Sequence, residues 1–125
     1  MNAPHVFVPF STGVPIPSRM SAQITGCIKR TFRPTYFFIP QSSRPKDWIV
    51  EELRINGRLV WRESLPGSLF TVRDRWSPFV DTVIRRKDTV VLVVTYVGRL
   101  KKGLPFCSAL VGYGSRQKRA RRVQG

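Results

Sequence analysis

A chain of 125 residues that is 42% hydrophobic can build one domain with its own core, and its longest apolar run is too short for a helix crossing a bilayer. Its 22 Lys and Arg stand against 7 Asp and Glu, a formal charge of +15, so the expected neighbour is nucleic acid or an acidic protein surface; the bland reading of such an excess is a solvated surface. Cys27 and Cys107 are the only cysteines and form no CxxC pair, which excludes a zinc or dithiol signature.

Met1 to Arg19 interleaves Pro4, Pro9, Pro15 and Pro17 with Val6, Phe7, Val8, Phe10, Val14 and Ile16. Proline at this density opposes helix and central strand, yet the stretch is too apolar for a solvated linker. An extended arm (1–20) laid on its own body or a neighbour fits both facts, and Val6, Phe7, Val8, Phe10, Val14 and Ile16 are then the subunit-contact candidates. A disordered terminus is the alternative. The start lacks a basic segment followed by an apolar one, so no secretory signal is read and a cytoplasmic origin is expected.

From Ser21 to Arg33 apolar and polar residues alternate, with Ile24, Gly26, Ile28, Arg30 and Phe32 on one face: a half-buried strand that Pro34 is expected to stop. Thr35 to Ile39 reads as a second, aromatic strand, and Gln41 to Lys46 as a polar loop. Asn56-Gly57 between Trp48–Ile55 and Arg58–Trp61 predicts a hairpin, because a type I′ turn needs positive φ at both central residues. The turn sets Ile55 opposite Arg58, Arg54 opposite Leu59, Leu53 opposite Val60 and Glu52 opposite Trp61. Leu53 and Val60 then share the core face with Ile49 and Ile55. A helix through Trp48 to Leu53 is the rival, since Glu51 and Glu52 favour it.

Ser68 to Val72 reads as a short strand, Arg73 to Pro78 as a loop, and Val80 to Ile84 as a strand or one helical turn. Arg85-Arg86-Lys87-Asp88 is a charged turn into Thr89–Val97, the most apolar run. Val90, Leu92, Val94 and Tyr96 point one way; Thr89, Val91, Val93, Thr95 and Val97 point the other. The run is expected to be a central strand, with a core on one face and loops or a partner on the other. Arg99 to Gly103 is a basic turn. Leu104 to Tyr113 is the last strand, with Phe106, Ser108 and Leu110 opposed to Cys107, Ala109, Val111 and Tyr113. Both cysteines fall inside expected strands, where a free thiol behaves as a small hydrophobe; a bridge between them is left open.

Seven or eight short strands without a long helical pattern predict an all-β fold: an antiparallel β-sandwich over 21–114, of jelly-roll or other Greek-key type, with a closed small barrel as the alternative. An extended N-terminal arm precedes it. A flexible basic tail, 115–125, follows.

No catalytic set emerges. His5 is the only histidine and lies in the arm, while the adjacent Glu51 and Glu52 would point to opposite faces of a strand. No metal site, cofactor or small-molecule substrate is expected, and the chain is read as no enzyme. The cations carry the chemistry instead. Arg116, Lys118, Arg119, Arg121 and Arg122 are five within seven residues, enough to neutralise as many phosphates in a salt-dependent, sequence-blind way. Arg85, Arg86 and Lys87, with Lys101 and Lys102 beside Arg99, complete the nucleic-acid-binding candidates. If those two turns share one end of the sandwich they make a second positive patch. Tyr36, Phe37 and Trp76 could stack on bases, against the plainer expectation that they are buried.

The order Phe32-Arg33-Pro34, Phe38-Ile39-Pro40, Trp48-Ile49-Val50 to Ile55-Asn56-Gly57, Leu65-Pro66-Gly67-Ser68-Leu69-Phe70, Val90 to Val97 and Phe106 to Gly112 resembles small jelly-roll or β-sandwich structural proteins of bacterial viruses. The likeness runs from Gln23 to Gly114 and is one of strands and turns. It implies a capsid, minor capsid or decoration subunit that is made in the host cytoplasm, ends in the virion and assembles with copies of itself or other virion proteins. The tail is similar to the basic arms with which capsid proteins hold genome, though many such arms are N-terminal. The alternative is a cytoplasmic nucleic-acid-binding β-barrel module, ribosome-associated or single-strand binding. No membrane partner is expected.

Overall fold

The alternating apolar positions become strands in the computed structural model, which describes residues 5–71 and 82–114. Among the described residues these are β1 (His5–Ser11), β2 (Ser21–Gly26), β3 (Phe32–Phe38), β4 (Trp48–Ile55), β5 (Arg58–Pro66), β6 (Val90–Tyr96) and β7 (Cys107–Gly114). They form two sheets, ordered β1-β7-β3 and β2-β6-β4-β5, and every ladder is antiparallel. One core cluster joins the sheets: Phe10, Phe32, Phe37 and Leu110 from the first meet Trp48, Leu53, Leu92 and Tyr96 from the second. The chain is an all-β sandwich.

β6 lies between β2 and β4, as its two-sided apolarity predicts. Val90, Leu92, Val94 and Tyr96 are fully buried, while Val91, Val93 and Thr95 are half-buried outside. Burying each such side chain contributes roughly 1.5–3 kcal/mol.

The Asn56-Gly57 hairpin forms, with φ of 52° and 78° at its two central residues. Ile55 faces Arg58 and Arg54 faces Leu59 as expected, but Leu53 faces Trp61 and Glu52 faces Arg62. A bulge absorbs one residue of β5, so Trp61, not Val60, stands opposite Leu53 and is buried, while Val60, at the bulge, is half-buried and still packs against the core. A second irregularity between Val50 and Glu52 reverses the parity of β4, burying Trp48 and Val50 and leaving Ile49 half-buried outside. Strict alternation fails there because a bulge adds one residue to one strand alone.

Four further expectations are corrected. The arm reading gives way over His5–Ser11, which is β1 and pairs with β7 along its whole length. Proline is admitted because β1 is an edge strand. Val6, Val8 and Phe10 therefore lie in this chain's own core and Ile16 packs against it; of the six subunit-contact candidates, Phe7 and Val14 stay exposed. Pro34 does not end a strand but sits inside β3, at a shift of register before Tyr36. Opposite it, a Cβ on Gly112 would run into the Arg33 carbonyl oxygen and the Pro34 Cα, so only glycine lets the backbones approach so closely. Gly67–Phe70, which overlaps the expected Ser68–Val72 strand, is a 3-10 turn. Cys27 follows β2 and Cys107 opens β7; both thiols are free and exposed rather than packed.

Arg73 to Pro78 with Trp76, Val80, Asp81 and the basic tail with Arg116, Lys118, Arg119, Arg121 and Arg122 lie outside the described residues. Of the expected Val80–Ile84 strand, Ile84 makes one antiparallel bridge to Phe32. Among the described residues no helix is long and apolar enough to cross a membrane.

Candidate nucleic-acid interface

The two basic turns flank β6, one before Val90 and one after Tyr96. Seven residues of strand separate them by roughly 20 Å. Arg85-Arg86-Lys87 and Arg99-Lys101-Lys102 therefore stand at opposite ends of the sheet and do not form one patch.

Each turn instead gathers other cations. At the first end, the Phe32 and Ile84 backbones exchange hydrogen bonds of 2.9 Å, and the Arg86 N–H donates to Thr31 Oγ1 at 3.3 Å. The Asn56 N–H donates to the Thr89 carbonyl at 2.7 Å, and the Thr89 N–H returns a bond to Asn56 Oδ1 at 2.8 Å. These bonds tie three connections together: β2–β3, the β4–β5 hairpin and the turn into β6. They carry Lys29, Arg30, Arg58, Arg85, Arg86 and Lys87, all exposed, with Arg33 just inside β3. None of these seven makes an ion pair with the described residues. β7 also ends here, since Gly114 pairs with Phe32, so the covalent start of 115–125 is at this end.

Asp88 is the acid among these turns, and it is held by them. The Arg85 N–H donates to its Oδ2 at 2.7 Å. Burial pushes the carboxyl up, but bonds from Asn56 and the Arg85 backbone, with the Arg85 charge, outweigh it and hold Asp88 below its ordinary 3.8. Asn56 thus acts twice, as a turn residue and as a clamp on the β6 approach. Only the first role has a local signal; the second depends on residues more than thirty positions away.

At the other end, the β1–β2 and β6–β7 loops are bonded through Ser18 Oγ to the Gly98 carbonyl at 2.5 Å and the Ile16 N–H to the Leu104 carbonyl at 2.9 Å. Arg19, Lys46, Arg99, Lys101 and Lys102 are exposed here, but so are Val14, Met20, Val97 and Leu100. Arg44 is paired with Asp47 at 3.0 Å. This end is mixed basic and apolar, whereas the cations of the first make no ion pair among the described residues.

The aromatic candidates divide as well. Phe37 is buried and Tyr36 half-buried. The rings that are well exposed are others: Phe7 at 63%, Tyr113 at 45%, and His5 between them. They lie on the outward face of β1-β7-β3; of the three, alternation along β7 had placed only Tyr113, opposite Phe106, Ser108 and Leu110.

Compared with known protein families, curated proteins and solved structures, the chain matches none.

Proposed function

We propose that this chain is a non-enzymatic virion structural protein: a jelly-roll building block that assembles with neighbouring subunits and meets nucleic acid through its basic end. The strand order carries the reading. A jelly roll stacks two four-stranded sheets linked by connections that cross between them. Here β1-β7-β3 and β2-β6-β4-β5 have that interleaved order, and each step except the β4–β5 hairpin and the span between β5 and β6 passes from one sheet to the other. The bridge of Ile84 to the outer side of β3 stands where an eighth strand would complete the first sheet.

Two surfaces support the working parts. Val14, Met20, Val97 and Leu100, gathered on the bonded loops at the mixed end, are the apolar contacts for a neighbour. The cations of the other end, which make no ion pair among the described residues, are the contacts for genome or an acidic partner, and Arg116, Lys118, Arg119, Arg121 and Arg122 follow β7 in the sequence. The expected place of work is the virion, after synthesis in host cytoplasm. Size-exclusion chromatography at low and high salt, with imaging of the largest species, tests the proposal. A particle that persists in high salt supports it; a monomer under all conditions, with or without nucleic acid, would falsify the assembly role.

A second reading, a cellular nucleic-acid-binding β module, is favoured by one observation: exposed rings adjoin the cations of the basic end. It expects a monomer whose nucleic-acid affinity collapses with salt.

A further inference from the structure

We infer that the outward face of β1-β7-β3, where it meets the basic end, is a binding platform for single-stranded nucleic acid, with bases on its rings and phosphates on its rim. The inference rests on the nucleic-acid contact common to both readings above and specifies the strand state of the ligand.

The platform starts from register. His5 pairs with Tyr113, and Tyr113 with Arg33, so one row across three strands presents imidazole, phenol and guanidinium on the outward side. The next row pairs Phe7 with Val111 and Val111 with Tyr36. The His5 ring centroid is 4.8 Å from that of Tyr113 and 6.2 Å from that of Phe7. Three rings therefore lie in succession on the outward side of the sheet, Phe7 and Tyr113 well exposed and Val111 buried beside them. A base offers a π-face of similar size, and stacking of this kind is indifferent to sequence.

The rim starts from the bridge. Arg33 follows Phe32 and Arg85 follows Ile84, so the Phe32–Ile84 pair brings both cations to the same end of the sheet. Arg30, Arg86 and Lys87 adjoin them through the Thr31–Arg86 bond. A strand crossing the rings would lay its phosphates along this rim. A duplex could use the rim only, because its bases are stacked on one another and closed to the rings.

An acidic protein could also use the rim, but a single strand supplies a base for the rings and a phosphate for the rim in every nucleotide. A second copy of this chain fits less well, because it would set Arg33 and its neighbouring cations against their own kind. The paired charge and ring surface favour single-stranded nucleic acid over both.

The test uses the full chain and fluorescence anisotropy with a labelled oligothymidylate of about 15 nucleotides, a duplex of equal length, and polyglutamate as competitor. The single strand is expected to bind at least ~10-fold more tightly than the duplex. Tyr113→Ala and Phe7→Ala should each weaken single-strand binding roughly 5- to 50-fold without changing its salt dependence, and Tyr113→Phe should keep it. Arg85→Ala/Arg86→Ala/Lys87→Ala should flatten the salt dependence by about two units of log–log slope. Equal binding of single strand and duplex, with ring variants like the parent, overturns the platform and leaves the basic end as a plain polyanion site. Polyglutamate competing as well as oligothymidylate overturns it in favour of an acidic protein partner. No binding of either nucleic acid at low salt overturns both the platform and the nucleic-acid contact beneath it.

Discussion

The outward faces of the two sheets treat their exposed positions in opposite ways. On β2-β6-β4-β5 the outer side chains satisfy one another. Ser21 Oγ and Thr95 Oγ1 are 2.7 Å apart, Thr95 Oγ1 donates to Glu51 Oε2 at 2.8 Å, and Ser64 Oγ donates to Glu51 Oε1 at 2.7 Å. That chain of hydroxyls and one carboxylate runs across all four strands. Beside it Arg54 Nε donates to Glu52 Oε2 at 2.6 Å. On β1-β7-β3 the outer side chains are mostly rings and aliphatics: His5, Phe7, Pro9 and Tyr113 exposed, Ala109, Tyr36 and Phe38 half-buried, and Val111 buried among them. The first face uses its polar groups to hold strands together; the second leaves rings at the surface. Polar residues outside a sheet can therefore belong to its stability, while the exposed rings here pack on one another at the surface.

The comparison breaks first at Gly112, beneath the aromatic face. Gly112→Ala should destabilise by at least ~2–3 kcal/mol in urea unfolding, because the new methyl meets backbone at the β3 bulge rather than a yielding side chain. A loss below about 0.5 kcal/mol would mean that β3 and β7 part easily there.

On the polar face, Glu51→Ala should lose about 1–2 kcal/mol, since two hydroxyls lose their acceptor, and Glu51→Gln should restore part of it. Unchanged midpoints for both variants would show that water replaces the carboxylate without loss.

The ring variants sharpen the contrast from the other side. Tyr113→Ala should shift stability by no more than ~0.5 kcal/mol, because the residue is nearly half exposed, whereas the proposed platform expects a large loss of nucleic-acid binding. A stability loss as large as that of Glu51→Ala would make the ring a structural element.

The smallest effect belongs to Asp88, at the basic end shared by both sheets. Its folded pKa is below the ordinary 3.8, so it stabilises the fold above that pH and the contribution fades as pH falls through the folded value. Asp88→Asn should therefore be less stable than the parent at neutral pH, and the gap should close in acid below about pH 3.8. A gap that is constant from neutral pH to pH 2 would show that the shape of the turn, not the charge, is what Asp88 supplies.

The residues alone determined what is local. Alternation put Val90, Leu92, Val94 and Tyr96 on one face, and Phe106, Ser108 and Leu110 on another, because side-chain direction in a strand depends only on parity; the structure buries both sets. Asn56-Gly57 announced its turn because positive φ is a property of those two residues. Parity failed wherever a bulge inserted a residue, at Val50–Glu52, Leu53–Arg54 and Pro34–Tyr36, since a bulge is decided by the partner strand. The same holds for the first strand: Pro4 to Pro17 looked like an arm because nothing nearby says that β7, about a hundred positions on, has an edge to offer. Only the tertiary structure decided where charge collects. Arg33, Arg58 and Arg85 are far apart along the chain, and it is the ladders of two sheets that bring them to one end while sending Lys101 and Lys102 to the other.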